Sequence, residues 1–291
     1  MIYLIVQLTP FFMRPFFFLL LLSAFAGALT AQQPTAAPLP DPADLLHRLD
    51  ANQKNLERLR RNYICLVQQE VTQLDGDGKA KKTERREYEE WYVAAEAVRR
   101  TISKDGVPLD AGEQKKEAER VAKQEKQARE RQAKRERGEK DDDEVTVSDF
   151  LASSRFKNLR REPRNGREVL AMDFEPNPGY KPHTRAQTFI SRLAGTIWID
   201  EHDLQIARLE ARMEKGMHFG GFLASLKEGS ALVVEQAPVN NEVWMPAYVD
   251  GNIGARVLFK GVNQRLISRF SNYRKFTTTS TIRGVIDEQP K

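Results

Sequence analysis

The stretch Gly195–Glu214, GTIWIDEHDLQIARLEARME, carries the clearest structural pattern in this chain. A turn at positions 201–202 separates two halves. In the second half, over Ala207–Glu214, small or apolar residues alternate with arginine and glutamate. Such alternation is typical of an antiparallel strand with one face on the core and the other in water. The stretch therefore predicts a β-hairpin within a sheet that is apolar on one side, with Ala207, Leu209 and Met213 on the apolar face.

Within this hairpin, Leu204 and Ile206 are out of phase with the alternation that begins at Ala207. The slip between Ile206 and Ala207 predicts a β-bulge, a feature that bends strands in curved sheets. Short apolar runs with turn residues between them continue toward the C-terminus, which is typical of an antiparallel meander. One of these turns is expected at Asp250-Gly251-Asn252. The further strands are expected at 219–226, 231–236, 243–249, 255–260 and 265–276.

On the N-terminal side of this hairpin, the sequence predicts both helices and strands. Asp41-Pro42 predicts a helix start, because aspartate caps free backbone N–H groups and proline suits the first helical position. Leucines at helical spacing then give that helix one apolar face. A strand is predicted from Tyr63, and a second one from about Lys82 to Thr101 with an interruption near Ala94. A short helix over 147–158, with Ser148 as its N-cap, is also expected.

The segment 113–144 differs from the rest, because 22 of its 32 residues are charged, 11 of each sign. Pairs such as Glu125 and Arg129 favour a helix. Apolar residues are too few to bury a face, so we expect a solvated helix or a partly disordered insertion. The acidic run at its end lacks the glycine and the ligand spacing of a calcium-binding loop.

Residues Pro15–Ala31 form an apolar run behind the single charge of Arg14, and small residues close it. A basic start, a short apolar segment and small residues at a cleavage point are typical of a secretory signal peptide. We predict a signal peptide over 1–31, cleaved after Ala31 or three residues earlier, and an exported protein of the periplasm or envelope. The uncharged residues before Met13 favour Met13 as the true start. An uncleaved membrane anchor is the alternative.

Without 31 of its 291 residues the chain keeps 260, enough for one large domain or two small ones. We predict a flexible linker over 32–41 and one domain over 42–291. The net charge is +5, or +4 without Arg14. This mild excess, together with export, argues against a nucleic-acid partner. The single cysteine, Cys65, cannot form an internal disulfide and is expected to be a buried thiol in a strand.

Signals for catalysis or metal binding are weak. No two of the four histidines are spaced as metal ligands on one helix, and His202 in its acidic turn is expected to be solvated. Ser154 and Lys157 match a Ser-x-x-Lys pattern without the partner motifs of that enzyme class, so we attribute the match to chance. We predict no enzyme, no cofactor and no metal site. A hydrolase is the remaining catalytic alternative, which a single deep pocket with buried polar groups would support.

Four segments, in this order, carry a family resemblance: GTIWID at 195–200, LQIARLE at 204–210, VWMP at 243–246 and NYRKF at 272–276. The chain resembles the periplasmic lipoprotein-carrier and outer-membrane lipoprotein-receptor (Lol-type) superfamily over roughly 41–276, apart from the charged segment. The resemblance implies a half-open antiparallel β-barrel wrapped around helices, with a concave apolar face that receives acyl chains. Carriers of that family hold a lid helix closed with a strand arginine, and no residue of this chain is assigned that role.

The predicted fold class is therefore α+β: a curved antiparallel sheet, or half-open β-barrel, covered by helices, with a charged helical or disordered insertion. The predicted function is non-enzymatic binding of lipid or lipoprotein acyl chains in an apolar concave face. The alternative is a structural or interaction module with a filled core and an envelope protein as partner. The sequence leaves the oligomeric state open. Candidate residues for lining the cavity, or for filling a closed core, are Trp198, Leu209, Met213, Phe222, Trp244 and Phe259.

Overall fold

The computed structural model describes residues 38–94, 96–139, 146–219, 224–257 and 260–275. The predicted signal peptide and most of the predicted linker lie outside these ranges, as do Phe222 and Phe259. The assignments for those residues remain predictions. None of the helices within the described residues has the length and hydropathy needed to cross a bilayer.

The first helix begins where the sequence predicts. The Asp41 carboxylate accepts hydrogen bonds from the backbone N–H groups of Ala43 and Asp44, at 2.9 and 3.0 Å, and proline occupies the first helical position. An N-cap of this kind satisfies donors that have no partner within the helix. The helices are α1 (Pro42–Arg60), α2 (Ala111–Glu136), α3 (Val147–Ser153) and α4 (Arg185–Ile190).

The described strands form one antiparallel sheet, and its two end strands do not pair with each other within the described ranges. The sheet is curved and unclosed, which confirms the predicted fold class. The first six strands are β1 (Tyr63–Leu74), β2 (Ala80–Val93), β3 (Glu96–Lys104), β4 (Val107–Pro108), β5 (Ser154–Arg164) and β6 (Arg167–Pro176).

The remaining strands complete a path with the order β4-β3-β2-β1-β13-β12-β11-β8-β7-β6-β5, to which a short hairpin of β9 and β10 is added beside β12. Strand β13 pairs with β1, so the first and last described strands are neighbours within the sheet. These strands are β7 (Leu193–Asp200), β8 (Gln205–Met213), β9 (Met217–Phe219), β10 (Ala224–Leu226), β11 (Ala231–Val239), β12 (Val243–Val257) and β13 (Lys260–Lys275).

The predicted bulge in β8 is confirmed. Trp198 lies opposite Arg208 and Ile199 lies opposite Ile206, so Ala207 is the extra residue. The bulge corrects one detail of the sequence prediction. Ile206 joins Leu209 on the helix-covered face, whereas Ala207 packs with the cluster on the other face.

Several predicted boundaries were wrong. The helix predicted over 147–158 ends at Ser153, and Thr146 caps it instead of Ser148. Beyond that point Phe156 belongs to β5 and lies opposite Phe174 of β6. The rings of Phe150, Phe156 and Phe174 share one apolar cluster, with the Phe150 and Phe174 centroids 5.0 Å apart. Tertiary burial of these aromatic rings thus overrides the local helical pattern.

The turn predicted at 250–252 was also wrong, because these residues lie inside the continuous strand β12. Gly251 pairs with both neighbouring strands, opposite Leu232 and Leu266. The Asp250 carboxylate accepts two hydrogen bonds from Arg265 on β13, at 2.6 and 2.9 Å. Pairing with strands on both sides therefore keeps these turn-like residues extended. The strand predicted over 219–226 is instead the β9–β10 hairpin, and the interruption near Ala94 is the hairpin turn between β2 and β3.

The main core lies between the sheet and three helices. Leu45 and Leu49 of α1, Phe150 of α3 and Ile190 of α4 pack against the face of β6–β8 that carries Ile197. All five residues are buried. Two smaller clusters extend the apolar face toward β1, β2 and β11–β13 and beneath the C-terminal half of α1. The helices thus cover the apolar side of the sheet, as predicted.

The charged segment forms the helix α2, one of the two expected forms, and one side of this helix contacts the sheet instead of facing water. Its Ala128 is fully buried, and the indole N–H of Trp91 on β2 donates to Glu125 at 3.2 Å. Polar side chains of α2 also bond to the backbone of β3. Gln124 donates to the Ala97 carbonyl at 3.2 Å. Hydrogen bonds and ion pairs therefore dock a helix that has almost no apolar face.

These contacts cover an open edge of the sheet. Strand β4 pairs with β3 only at Ser103 and Lys104, so the rest of β3 has no neighbouring strand on its outer side. Arg120 donates to the Arg99 carbonyl, and Glu117 accepts from the Thr101 N–H. Unpaired edges invite pairing with other chains, and covering them is a known protection. Helix α2 is an edge cover for β3.

Glu117 makes the stability of the contact between α2 and β3 dependent on pH. Burial on its own raises the pKa of Glu117, but hydrogen bonds from Arg120 and Thr101 lower it to about 2. Because this lies below the ordinary value of about 4.3, the charged carboxylate stabilises the fold above that pH. The contribution disappears as the pH falls toward 2.

We expect Glu117→Gln to lower the free energy of unfolding at pH 7 by about 1–2 kcal/mol, since it removes charge-assisted hydrogen bonds. The variant should also lose less stability than the wild type between about pH 4.5 and pH 2. Urea unfolding at several pH values measures both effects. Glu119→Gln, at an exposed position of the same helix, is the control. Equal pH dependence in Glu117→Gln and the wild type would contradict this role.

Candidate functional site

The candidate site is the face of β6–β8 beneath α1, α3 and α4. Leu209 and Met213 of β8 lie on this face, 3% and 2% exposed, and belong to the same cluster as Leu45 and Leu49 of α1. Their alternation along β8 places both side chains toward the helices, as the sequence predicts. The surface that could contact an apolar ligand is therefore one that helices now cover.

Helix α1 is attached to the sheet by polar bonds as well as by leucines. Arg60, 6% exposed, donates to the Trp244 carbonyl from Nε and Nη2, at 3.0 and 2.9 Å, and also to the Gln236 side chain. About two turns before Arg60 in the same helix, Asn52 donates to the carbonyls of Asp203 and Leu204, at 3.1 and 3.3 Å. These bonds connect α1 to the β7–β8 turn and to β11 and β12.

Of the four predicted cavity residues that the structure describes, two, Leu209 and Met213, lie on the helix-covered face. Trp198 pairs with Arg208 on the opposite side of β7 and β8 from Leu209. Trp244 alternates with Val243 and Met245, which pack under α1, and it joins Trp198 in a separate cluster. Phe222 and Phe259 lie outside the described residues.

Trp198 is the centre of a charged network on the outer face. Its indole N–H donates to Glu162 at 2.9 Å, and the guanidinium groups of Arg164 and Arg208 each lie 5.7 Å from its ring centroid. Hydrogen bonds from Trp198 and Arg160 lower the pKa of Glu162. The arginines are in turn paired with Glu235. These cation–π contacts and ion pairs hold the Trp198 ring in place on the outer face of the sheet.

Trp244 has a similar environment beside the β7–β8 turn. Its indole N–H donates to Asp203 at 2.9 Å, and Arg167 lies 5.5 Å from its ring centroid. Arg167 also donates to Asp203, at 2.6 Å, and to the fully buried Asp200. Burial alone raises the pKa of Asp203, but contacts with His202, Trp244 and Arg167 lower it below the ordinary value.

Asp200, His202 and Asp203 are the only described group of three possible metal ligands, with ligand atoms within 4.8 Å of one another. Arg167 donates to both aspartates, so a guanidinium already bridges them and offsets part of their negative charge. The His202 side chain is 89% exposed and contacts Asp203. Its exposure agrees with a solvated turn residue.

A buried polar band on the inner face of β1–β3 and β13 was not predicted. Glu90 and Arg99 form an ion pair at 2.5 Å, with side chains 1% and 10% exposed. Tyr88 donates to Gln69, which donates to Ser268, at 3.3 and 3.2 Å. Glu90 and Arg99 are the charged members of this band, and they lie opposite each other on β2 and β3. The sequence alone does not show this pairing.

Cys65 lies on this same inner face of β1 and is buried, as predicted. Burial raises the pKa of its thiol, and the nearby Glu90 adds to the effect. A thiol in such surroundings is unreactive.

Ser154 and Lys157 lie in the strand β5, where residues three apart point to opposite faces. Lys157 pairs with Glu175 on β6. The Ser-x-x-Lys pattern thus does not place a lysine beside the serine hydroxyl.

The fold and this site define an α+β protein with a curved, unclosed antiparallel sheet whose apolar face is covered by helices. No protein-family model matches the chain, and no curated protein matches it. It is similar to a solved domain named as an outer membrane lipoprotein-sorting protein from Vibrio parahaemolyticus. The identity is 10% and the TM-score 0.37, over 81% of this chain and 95% of that one.

Two further solved structures are similar at the same low level. A DUF1329 family protein from Desulfovibrio piger has 10% identity and a TM-score of 0.33, over 83% of this chain and 96% of its own. MucB, solved in complex with the periplasmic part of MucA, has 9% identity and a TM-score of 0.24, over 82% of this chain and 100% of its own. Likeness of this degree carries no argument about function, which must come from the residues of this chain.

Proposed function

We propose that this chain is an exported cell-envelope protein, one domain over 42–291, that binds acyl chains of lipids or lipoproteins without catalysing a reaction. The ligand would lie between α1 and the apolar face of β6–β8, in contact with Leu209 and Met213. One observation carries the proposal. The helix α1 covers a broad apolar face of an unclosed sheet, and hydrogen bonds from Arg60 and Asn52 attach this helix to the sheet.

Burial of the acyl chain would supply the main driving force for binding. Burial of a methylene group contributes about 0.8 kcal/mol. Ten buried methylenes would therefore supply about 8 kcal/mol, and the loss of translational and rotational freedom on binding offsets part of this gain.

The second candidate function is an interaction module with a filled core. Its support is the near-complete burial of Leu209, Met213 and Phe174, which leaves these side chains in contact with protein on all sides. In that case the sheet and helices would be a scaffold, and an envelope protein would bind the outer surface.

Thermal unfolding with palmitate separates the two functions. At a free concentration of about 100 times the dissociation constant, palmitate should stabilise an acyl-binding protein by about 2.7 kcal/mol. For a chain of this size that corresponds to an increase in Tm of about 5–10 °C. Native mass spectrometry should show one acyl chain per protein. Delipidated protein that shows neither effect would favour the filled core.

A pair of variants locates the ligand. Ala211 lies on the helix-covered face, 5% exposed, whereas Arg212 points to the other side with a side chain 66% exposed. Ala211→Leu should weaken palmitate binding if it occupies space that the ligand uses. In a filled core the same change overpacks the interior and costs about 1–3 kcal/mol of stability instead. Arg212→Leu is the control and should leave binding unchanged.

A further inference from the structure

The charges of helix α2 are sorted between its two sides. The side toward the sheet uses Glu117, Gln124 and Arg131 to contact the backbone or side chains of β3. Glu113 and Glu125 are also occupied, by Lys104 and Trp91. The opposite side has a different composition. Its basic residues, called here the lysine face, are Lys115, Lys116, Lys123, Lys126 and Lys134.

The lysine face is a straight, exposed row. With 3.6 residues per turn, its five members fall within an arc of about 100°, and the 19 residue steps from Lys115 to Lys134 span about 28 Å. All five are exposed. The Lys126 side chain, 77% exposed, lies 3.8 Å from Glu130.

The surplus of positive charge on this face follows from the docking of α2. The helix has nine basic and six acidic residues, a net charge of +3. Three of the six carboxylates, Glu113, Glu117 and Glu125, are held by partners toward or beside the sheet. On the lysine face, Glu119 and Glu130 are left against five ammonium groups. The segment 113–144 has balanced charges in the sequence. It presents a cationic surface only in the folded protein, where α2 docks on the sheet.

The chemistry of this row fits a layer of anionic lipid headgroups better than a protein surface. Protein interfaces have an apolar centre, favour aromatic residues and arginine, and are depleted of lysine. Valine is the largest apolar residue of α2, and Val121 lies on the side away from the lysines. Lysines near an anionic bilayer are attracted to it without requiring a shaped partner.

We propose that the lysine face docks this protein on a bilayer that contains anionic phospholipid, with α2 lying parallel to the membrane plane. The proposal does not depend on acyl binding, since it uses the outer side of α2 and not the face beneath α1. Attraction of this kind is electrostatic and weakens as salt shortens the screening length.

Vesicle flotation tests the proposal. The purified protein is mixed at low salt with vesicles of phosphatidylcholine alone or with about one-third phosphatidylglycerol. The variant replaces Lys115, Lys116, Lys123 and Lys134 with glutamine, which preserves helix propensity. Wild type should float with the anionic vesicles only, and the variant should bind at least about 30-fold more weakly. Raising the salt to about 0.5 M should release the wild type.

The matched control removes the same number of charges elsewhere. Lys79, Lys81, Lys181 and Lys215 are exposed and lie outside α2. Their replacement with glutamine should change vesicle binding less than about threefold, and circular dichroism should show both variants folded. An equal loss in the control, or equal binding to neutral vesicles, would overturn the proposal.

An acidic protein partner is a separate outcome. If anionic vesicles do not bind the wild type, while immobilised polyglutamate retains it and not the α2 variant, the surface recognises acidic polypeptide and the membrane proposal is wrong. Palmitate binding, measured on the same variant, should stay at the wild-type level. A loss of both activities would mean that the two sites are not independent.

Discussion

Replacing Gly195 with alanine is expected to cost at least about 4 kcal/mol of stability, a large part of what a domain possesses. Gly195 lies in β7 where the backbone of β8 approaches it. A Cβ atom there would stand 1.8 Å from the Glu210 carbonyl oxygen, 2.8 Å from its carbon and 3.0 Å from the Ala211 Cα. All three atoms belong to the backbone, so no side chain can rotate away. The two strands must separate, which breaks their hydrogen bonds beside the main core.

Urea unfolding and the yield of soluble protein measure this effect. Gly261→Ala is the matched control, because Gly261 also lies in a strand and a Cβ there would meet nothing within 4 Å. The control should stay within about 0.5 kcal/mol of the wild type. A Gly195→Ala protein with wild-type stability would show that β7 and β8 are not so close.

Replacing Arg60 with alanine should cost about 3 kcal/mol and loosen the C-terminal half of α1. The substitution removes hydrogen bonds from a buried guanidinium to the Trp244 carbonyl and to Gln236. Hydrogen bonds to charged groups are worth about 1.5–3 kcal/mol, and a buried carbonyl left without its donor adds to the cost. Arg60→Lys should retain part of the stability, since an ammonium group still donates but lacks the planar fork.

Urea unfolding gives the energy, and hydrogen exchange along α1 tells whether the loss is local. Arg48→Ala is the control on the same helix. The Arg48 side chain is 52% exposed and lies 3.7 Å from Asp44, an exposed pair expected to contribute less than about 0.5 kcal/mol. Equal exchange rates in Arg60→Ala and the wild type would mean that the leucines alone hold α1. If acyl binding requires movement of α1, Arg60→Ala should also bind palmitate faster.

Local sequence patterns were enough to predict the elements whose structure depends only on neighbouring residues. The Asp41-Pro42 start of α1 and the bulge before Ala207 were both predicted, because capping and strand alternation depend on neighbouring residues. The failures have a different cause. Asp250-Gly251-Asn252 has a turn composition, yet partners on two adjacent strands keep it extended.

The candidate site shows the same division. Alternation along β8 placed Leu209 and Met213 on one face, and the structure agrees. Nothing in the local sequence distinguished Trp198 and Trp244, which lie on the other face among arginines and carboxylates. Their partners Arg164 and Asp203 are distant in the chain, so the environment exists only after the strands pair.

By itself, the sequence determined that this protein would build a one-sidedly apolar antiparallel sheet with an amphipathic helix to cover it, since periodicity and capping act over a few residues. Only the tertiary structure decided which residues share a face and what a charged helix does. Helix α2 finds its partners at the edge of β3, and that edge arises from the order in which strands pair across the whole chain. Distant pairing leaves no mark in a short window of sequence.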